Sequence, residues 1–159
     1  MQKPAFDRTD RKILETLQGD ARLTNQQLAE RVALSPSPCL RRVRALEESG
    51  VIRQYVALLE PAKIGLGLLA YVTVKLEKRG KMPVEQVTRS VLAWPEVIAC
   101  YAMTGDMDYL MRVQVENLDH YSRFIMEKLL KQPGVIDIKS NFVLERVKDT
   151  PALPLQQLA

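Results

Sequence analysis

Between Asp7 and Gly50, apolar residues recur at helical spacing in three short stretches. In the first, DRTDRKILETLQ, Ile13, Leu14 and Leu17 share one face. Asp7 is the expected N-cap, Asp10 follows three residues later, and Gly19 stands near the end. The second stretch carries a fuller start signal. Thr24 is the expected N-cap, Gln27 completes a capping box, and Leu23 and Leu28 flank them as a hydrophobic staple. Leu28, Ala29 and Val32 then face inward, and Ala33 and Leu34 leave room only for a tight turn. The third stretch, SPSPCLRRVRALEESG, opens on two prolines. With Ser35 as N-cap, Pro36 is the first helical residue and Pro38 the third, where a missing N–H forfeits no ladder bond. Ser37 precedes a proline and is biased away from the helical region, a modest cost. Cys39, Leu40, Val43 and Leu46 gather on one side of this helix. Ser37, Arg41, Arg44 and Glu48 gather opposite, with Arg42 at the flank, and Gly50 ends the pattern.

Beyond Gly50 the period changes. VIRQYVALLEPAKIGLG reads as a short extended element and a hinge, punctuated by Pro61, Gly65 and Gly67. From Leu68 strands and helices alternate. LLAYVTVKLE is β-rich, and Pro83 opens a helix with Val84, Val87 and Val91 on one face. VIACYAM and DYLMRVQVE form a hairpin across a short T-G-D-M connection. LDHYSRFIMEKLLK aligns Leu118, Tyr121, Ile125 and Leu129, and VIDIKSNFVLERV is the last strand. The order βαββαβ is the split βαβ, ferredoxin-like arrangement. An internal repeat, L-x-x-P-x-V-I at Leu92–Ile98 and again at Leu130–Ile136, fits a doubled βαβ unit. The expected class is therefore α+β. Residues 1–52 form a helix-turn-helix domain of winged-helix-like type, 53–67 a hinge strand and linker, and 68–148 a ferredoxin-like domain. The tail, 149–159, contains two prolines and is expected either to pack on a partner subunit or to be disordered.

Composition narrows the functional classes. The 159 residues are 47% hydrophobic with mixed charge, as in a folded globular chain. No apolar run is long enough to span a membrane, and MQKPAFDRTDRKIL lacks the apolar core of a secretory signal. Cys39 and Cys100 lie far apart without CxxC spacing, which suits a reducing cytoplasm and argues against a zinc site. The net charge of +4 hints at an anionic partner, but the parts before and after Glu60 each carry +2. Clustering is more informative: Arg31 to Arg53 holds five arginines against two glutamates.

Catalytic parts are scarce. The single histidine, His120, starts an amphipathic helix, and no P-loop, GxGxxG, HExxH or GxSxG stretch occurs. Cys39 and Cys100 read as core residues. No enzymatic activity, cofactor or metal is expected, and an enzyme or allosteric subunit built on the second domain has no catalytic constellation to use. The arginine-rich helix can be simple solvation of an exposed face. Its context points elsewhere, because helix, tight turn and helix make a helix-turn-helix, whose second member enters the major groove of double-stranded DNA. Ser35, Pro36 and Ser37 at its tip allow backbone and hydroxyl contacts with phosphate. Arg41, Arg42 and Arg44 can reach phosphates or the O6/N7 edge of guanine, and Arg53 suits a flanking phosphate.

DRTDRKIL, RLTNQQLAERVALSPSPCLRRVRALEESGVIRQYVALLEP, TGDMDYL and QPGVIDIKSNFVLERVK resemble the bacterial Lrp/AsnC (feast/famine) transcription regulators, in the family's order and from about Phe6 to Lys148. SPSPCL is the most specific piece. The resemblance implies an N-terminal DNA-binding domain, a hinge strand, and a C-terminal domain that dimerises and senses amino acids, with dimers assembling into octamers or larger forms. By composition alone, TGDMDYL is a hairpin whose Gly and Asp serve turn chemistry. As a pocket, Asp106 or Asp108 can hold the ammonium of a free amino acid. Backbone N–H groups around Gly105 and the Thr104 hydroxyl can hold its carboxylate. The resemblance makes this loop, with Tyr109, the expected first contact for an effector, completed by Ser140 of a neighbouring subunit. Met103, Met107 and Leu110 name no side-chain preference; leucine, methionine and other apolar amino acids are the first expectation. The resulting reading is a cytoplasmic, nucleoid-associated, sequence-specific regulator of amino-acid metabolism genes, modulated by an amino acid bound between dimers. Its rival is an architectural nucleoid-type protein without an effector.

Overall fold

Reciprocal capping boxes open the first two helices of the computed structural model, which describes residues 6–77 and 82–158. In α1 (Arg8–Gly19), Asp7 Oδ1 accepts the Asp10 N–H at 2.8 Å and Asp10 Oδ2 accepts the Asp7 N–H at 3.3 Å. In α2 (Asn25–Val32), Thr24 Oγ1 and Gln27 Oε1 exchange the same pair of bonds, at 3.3 and 2.9 Å. Each box satisfies two N–H groups that the helix itself leaves unpaired. Helix α3 (Pro36–Glu48) has the expected N-cap, Ser35, but that side chain makes no capping bond.

The turn between α2 and α3 is closed by a left-handed alanine. Ala33 sits at φ 58°, ψ 47°, and its position lets the Leu34 N–H reach Ala29 O at 2.9 Å. A residue with a Cβ pays about 1–2 kcal/mol for this conformation, and nothing in the sequence announces it. Ile13, Leu14, Leu28, Ala29, Val32, Cys39 and Leu46 form the core of this unit. Leu40, assigned to the apolar side, is 38% exposed. No strand forms in this unit among the described residues, and 53–60 pairs with none.

The chain divides into two compact units: residues up to Leu58 with those from Lys148 onward, and Leu59–Val147. The tail thus belongs to the first unit. Leu155 and Leu158 pack on the core of the first unit.

After a 3₁₀ turn (Pro61–Ile64), the second unit runs β1 (Leu68–Leu76), α4 (Met82–Ala93), β2 (Val97–Ala102), β3 (Tyr109–Val115), α5 (Leu118–Arg123) and β4 (Val135–Phe142). The antiparallel sheet has the order β2-β3-β1-β4, the ferredoxin-like topology. Alternate residues of β1 and β3, including Val72, Val74, Met111 and Val113, pack with Val87 of α4 and Tyr121 of α5. The side chain of Val84 lies outside the described residues. Helix α5 runs on as a π-helical stretch (Phe124–Leu129), closed by the Leu130 N–H to Ile125 O at 2.9 Å. The wider turn buries Phe124 alongside Tyr121 and Leu129, whereas Leu118, placed on the apolar stripe by its spacing, is 58% exposed.

The L-x-x-P-x-V-I repeat is matched in three dimensions. Trp94 N–H bonds Val91 O and Val97 N–H bonds Trp94 O; Gln132 and Val135 make the equivalent bonds to Leu129 and Gln132. Both copies deliver the chain into an edge strand.

Candidate nucleic-acid and effector interfaces

The first turn of α3 is chemically unusual because Pro36 and Pro38 have no N–H to donate. Ser37 alone among the first three helical residues keeps one, so little backbone remains for phosphate to bind or for Ser35 to cap. The hydroxyls of Ser35 and Ser37 are left on exposed residues, beside exposed Pro36. Asn25, which the sequence reading passed over, fixes this tip: its Nδ2 donates to Pro36 O at 2.8 Å. Its only sequence signal is a short polar residue just after the α2 cap.

Arg41 and Arg44 are exposed on the face of α3 away from Cys39 and Leu46, and Arg53 is exposed beyond the helix. Arg42 does not join them. One of its terminal nitrogens contacts Asp7 Oδ2 and Asp10 Oδ1, each at 2.8 Å, and its side chain is 34% exposed. The amide of Asp10 and the Arg42 guanidinium together hold the Asp7 carboxyl below its ordinary range, overcoming the upward pull of burial. Arg42 thus clamps the start of α1 to α3, a contact that its place in the sequence did not announce. Tyr55 donates its hydroxyl to Glu47 Oε1 at 2.9 Å, anchoring the segment after α3, and burial and that carboxylate push its pKa up to about 12.

The second constellation lies on the β2–β3 loop. Thr104, Gly105 and Asp106 are exposed, and Gly105 adopts φ 115°, a conformation only glycine takes without strain. Asp108 is already engaged: its Oδ2 accepts the Leu76 N–H at 2.6 Å and its N–H donates to Val74 O at 2.9 Å. It secures the loop to the irregular end of β1, where the pairing register shifts. Tyr109 begins β3 half-buried against the core. Ser140 lies on the edge strand β4, and its Oγ accepts a short bond from the Tyr121 hydroxyl. Within one chain it makes no hydrogen bond to the loop residues.

Behind the sheet, Glu96 is buried and its Oε1 meets Lys128 Nζ at 2.5 Å and His120 Nε2 at 3.7 Å. Burial, the largest single influence, raises the Glu96 pKa, but the Lys128 bond and charge, the residue's own backbone amide and His120 together outweigh it, and the net shift is downward. Glu96 Oε2 has no hydrogen-bond partner among the described residues.

Residues 69–153 match the Lrp/AsnC ligand-binding domain, and 6–53 match a winged helix-turn-helix DNA-binding domain. The chain belongs to the Lrp/AsnC family of transcription regulators. It is 41% identical over 151 residues to the DNA-binding transcriptional activator DecR of Escherichia coli (strain K12), covering 95% of this chain and 99% of DecR. Against the leucine-responsive regulatory protein of the same strain the identity is 40%, covering 95% and 92%. A transcriptional regulator from Neisseria meningitidis, solved as a complex with L-Met, superposes with a TM-score of 0.93 at 48% identity, covering 96% and 98%. In this Lrp/AsnC chain, the helical unit is the DNA-binding part and the βαββαβ unit the ligand-binding part. Among the described residues no helix is long and apolar enough to cross a membrane.

Proposed function

We propose that this chain is a sequence-specific regulator of amino-acid metabolism genes, working in the cytoplasm on the nucleoid and modulated by a small apolar amino acid. The observation that carries the DNA reading is the chemistry of α3: Arg41 and Arg44 project from the face opposite the core, beside serine hydroxyls that no cap consumes. Arg41 and Arg44 suit guanine edges or phosphates, Ser35 and Ser37 suit phosphate, and Arg53 suits a flanking phosphate. Two such helices, brought together by dimerisation through the second unit, would meet half-sites about one helical turn apart or a multiple of it. Further assembly to octamers would wrap the DNA.

For the effector, the loop geometry favours Asp106 over Asp108 as the ammonium partner, because one Asp108 oxygen already serves Leu76. Thr104 and the backbone at Gly105 would take the carboxylate, with Ser140 supplied by a neighbouring subunit. The similarity to the neisserial regulator solved with L-Met supports methionine as the first ligand to test, with leucine next. An effector shifts DNA affinity only through unequal affinity for the free and bound assemblies.

The test is binding of the full-length chain to the region upstream of its own gene and to random duplex, with and without L-Met and L-Leu. The upstream region is expected to bind about a thousandfold or more tightly than random DNA. Affinities within a few-fold of each other, unmoved by either amino acid, would instead favour an architectural protein.

A further inference from the structure

We propose that the C-terminal segment Thr150–Leu158 is a strap whose docking on α1 gives the DNA-binding unit a second attachment and restricts its swivelling. The inference rests on reading the first unit as the one that meets DNA.

The dock is built, not incidental. Gln18 Nε2 donates to Leu153 O at 3.1 Å, and Gln18 Oε1 accepts the Leu153 N–H at 2.6 Å. One side chain therefore reads both backbone groups of one tail residue, as a neighbouring strand would. The Leu153 side chain itself is 70% exposed, while Leu155 and Leu158 pack on the core. Two further amides of the segment are placed: Ala152 N–H bonds Thr150 Oγ1 at 3.2 Å and Leu158 N–H bonds Leu155 O at 3.0 Å. Pro151 and Pro154 have none to place, and their fixed φ lowers the entropy lost when Leu153 docks.

The strap gains meaning from where the chain enters and leaves the second unit. Gln114, buried on β3, donates Nε2 to Leu66 O at 2.6 Å and Leu68 O at 3.1 Å, while Arg146 Nη2 donates to its Oε1 at 3.4 Å. Entry and exit are thus pinned to the same side chain. On the first unit the two connections end on different helices. One follows α3, where Ile52 N–H bonds Leu46 O at 3.0 Å, and the other ends beside Gln18 of α1. A body held at one point swivels freely; held at two, it only rocks. The recognition helices of a dimer would then be offered to DNA at a restricted spacing, which lowers the ordering cost of engaging both half-sites.

The experiment compares the full chain with Gln18→Ala and with a chain ending at Lys148. The probes are duplexes, selected from random sequence on the full-length protein, carrying one half-site or two at varied separation. Amide exchange at Leu153 and Leu158 is measured in parallel. In the full chain these amides are expected to be protected, and offsetting the half-sites by about five base pairs, half a helical turn, is expected to weaken binding about tenfold. In both variants single half-site binding is expected to stay within about twofold, while the offset penalty falls to about threefold or less. An unchanged penalty in Gln18→Ala, with its tail amides exchanging freely, would overturn the proposal. So would unprotected tail amides in the full chain, or loss of single half-site binding on truncation, which would make the tail a mere part of the helical fold. Failure of the full chain to bind any duplex would overturn the DNA reading, and the exchange data would still judge the dock.

Discussion

Arg41 and Arg42 are adjacent in sequence and equal in chemistry, yet Arg42 is held by two aspartates while Arg41 is exposed, so a paired substitution tests the separate tasks proposed for them. Arg42 reaches both Asp7 and Asp10 at 2.8 Å, and the side chains of Arg42 and Asp10 are 34% and 17% exposed. A fully exposed pair would contribute 1 kcal/mol or less. With Asp10 this sheltered, Arg42→Ala is expected to cost about 1–2 kcal/mol of the helical unit's stability, a drop in Tm of roughly 5 °C or more. The loss should depend on pH. A carboxyl whose pKa falls on folding stabilises the folded state above its unfolded value, and that contribution disappears as pH drops through the folded value. The Asp7 carboxyl lies below its ordinary 3.8, held there by the Asp10 amide and by Arg42. The gap between wild type and Arg42→Ala should therefore be full near neutrality and close as the pH falls below 3.8. Arg41→Ala removes no contact of this kind. It should leave Tm almost unchanged while costing about 1–3 kcal/mol of specific DNA binding if it reads a base. If it contacts phosphate instead, affinity falls equally on all sequences and the slope of log K against log salt drops by about 0.9. Thermal scans with anisotropy titrations, at a temperature where both variants are folded, decide between them. Equal loss of specific affinity from both, with no loss of stability from Arg42→Ala, would show that Arg42 leaves its aspartates for DNA and would refute the assignment.

Pro38→Ala restores an N–H at the third position of α3, which Ser35 Oγ can then cap. We expect the helix to gain about 0.5–1 kcal/mol while DNA affinity falls, and equal or tighter DNA binding would show that the Ser35 hydroxyl is not used there. Lys128→Met removes the lysine partner of Glu96 Oε1 from a buried carboxylate whose Oε2 is already unpaired and, after discounting for a Lys128 side chain that is 39% exposed, should cost about 2–3 kcal/mol in urea unfolding. The Glu96 pKa is lowered on folding in the wild type, whereas without Lys128 burial pushes it up, so that cost should be full near neutrality and shrink as acid protonates Glu96; a pH-independent cost would contradict the pairing. Asp106→Ala should abolish an L-Met-induced thermal shift without lowering the ligand-free Tm. Asp108→Ala should lower that Tm by itself, since Leu76 N–H loses its acceptor, and the reverse pattern would exchange their roles.

What the sequence disclosed was what local chemistry controls. The caps at Asp7 and Thr24, the proline positions in α3 and the L-x-x-P-x-V-I turns depend on residues within four positions of one another, so spacing alone exposes them. The βαββαβ order followed from the same signals taken in series. Contacts between distant residues left no such trace. Arg42 finds Asp10 across 32 positions and Gln18 finds Leu153 across 135. Neither pair differs in composition from ordinary surface residues. The π-helical stretch in α5 escaped because its one-residue widening keeps the stripe of Tyr121, Ile125 and Leu129 readable as a regular helix. The bond from Leu76 N–H to Asp108 escaped for a related reason: a carboxylate in a Gly-Asp loop looks equally suited to a ligand or to a strand end.

The contrast among the three N-terminal helices carries the functional argument furthest. Helices α1 and α2 each consume an N-cap side chain and its partner in a capping box, so their tips have little left to offer a ligand. Helix α3 meets the same electrostatic problem differently. Its prolines remove the donors that would otherwise need capping, and Asn25 braces the turn from the neighbouring helix. The stability of that tip therefore owes nothing to the Ser35 hydroxyl, which stays available to an incoming oxygen or base edge. The same separation holds for the arginines that follow: Arg42 supplies the structural contact, which frees Arg41 and Arg44 from any contact the fold requires. A helix that held itself together with its recognition groups would have to break those bonds on meeting DNA, and binding would be weaker by their worth. Here the supporting contacts and the proposed recognition contacts fall on different residues, so both could be satisfied at once.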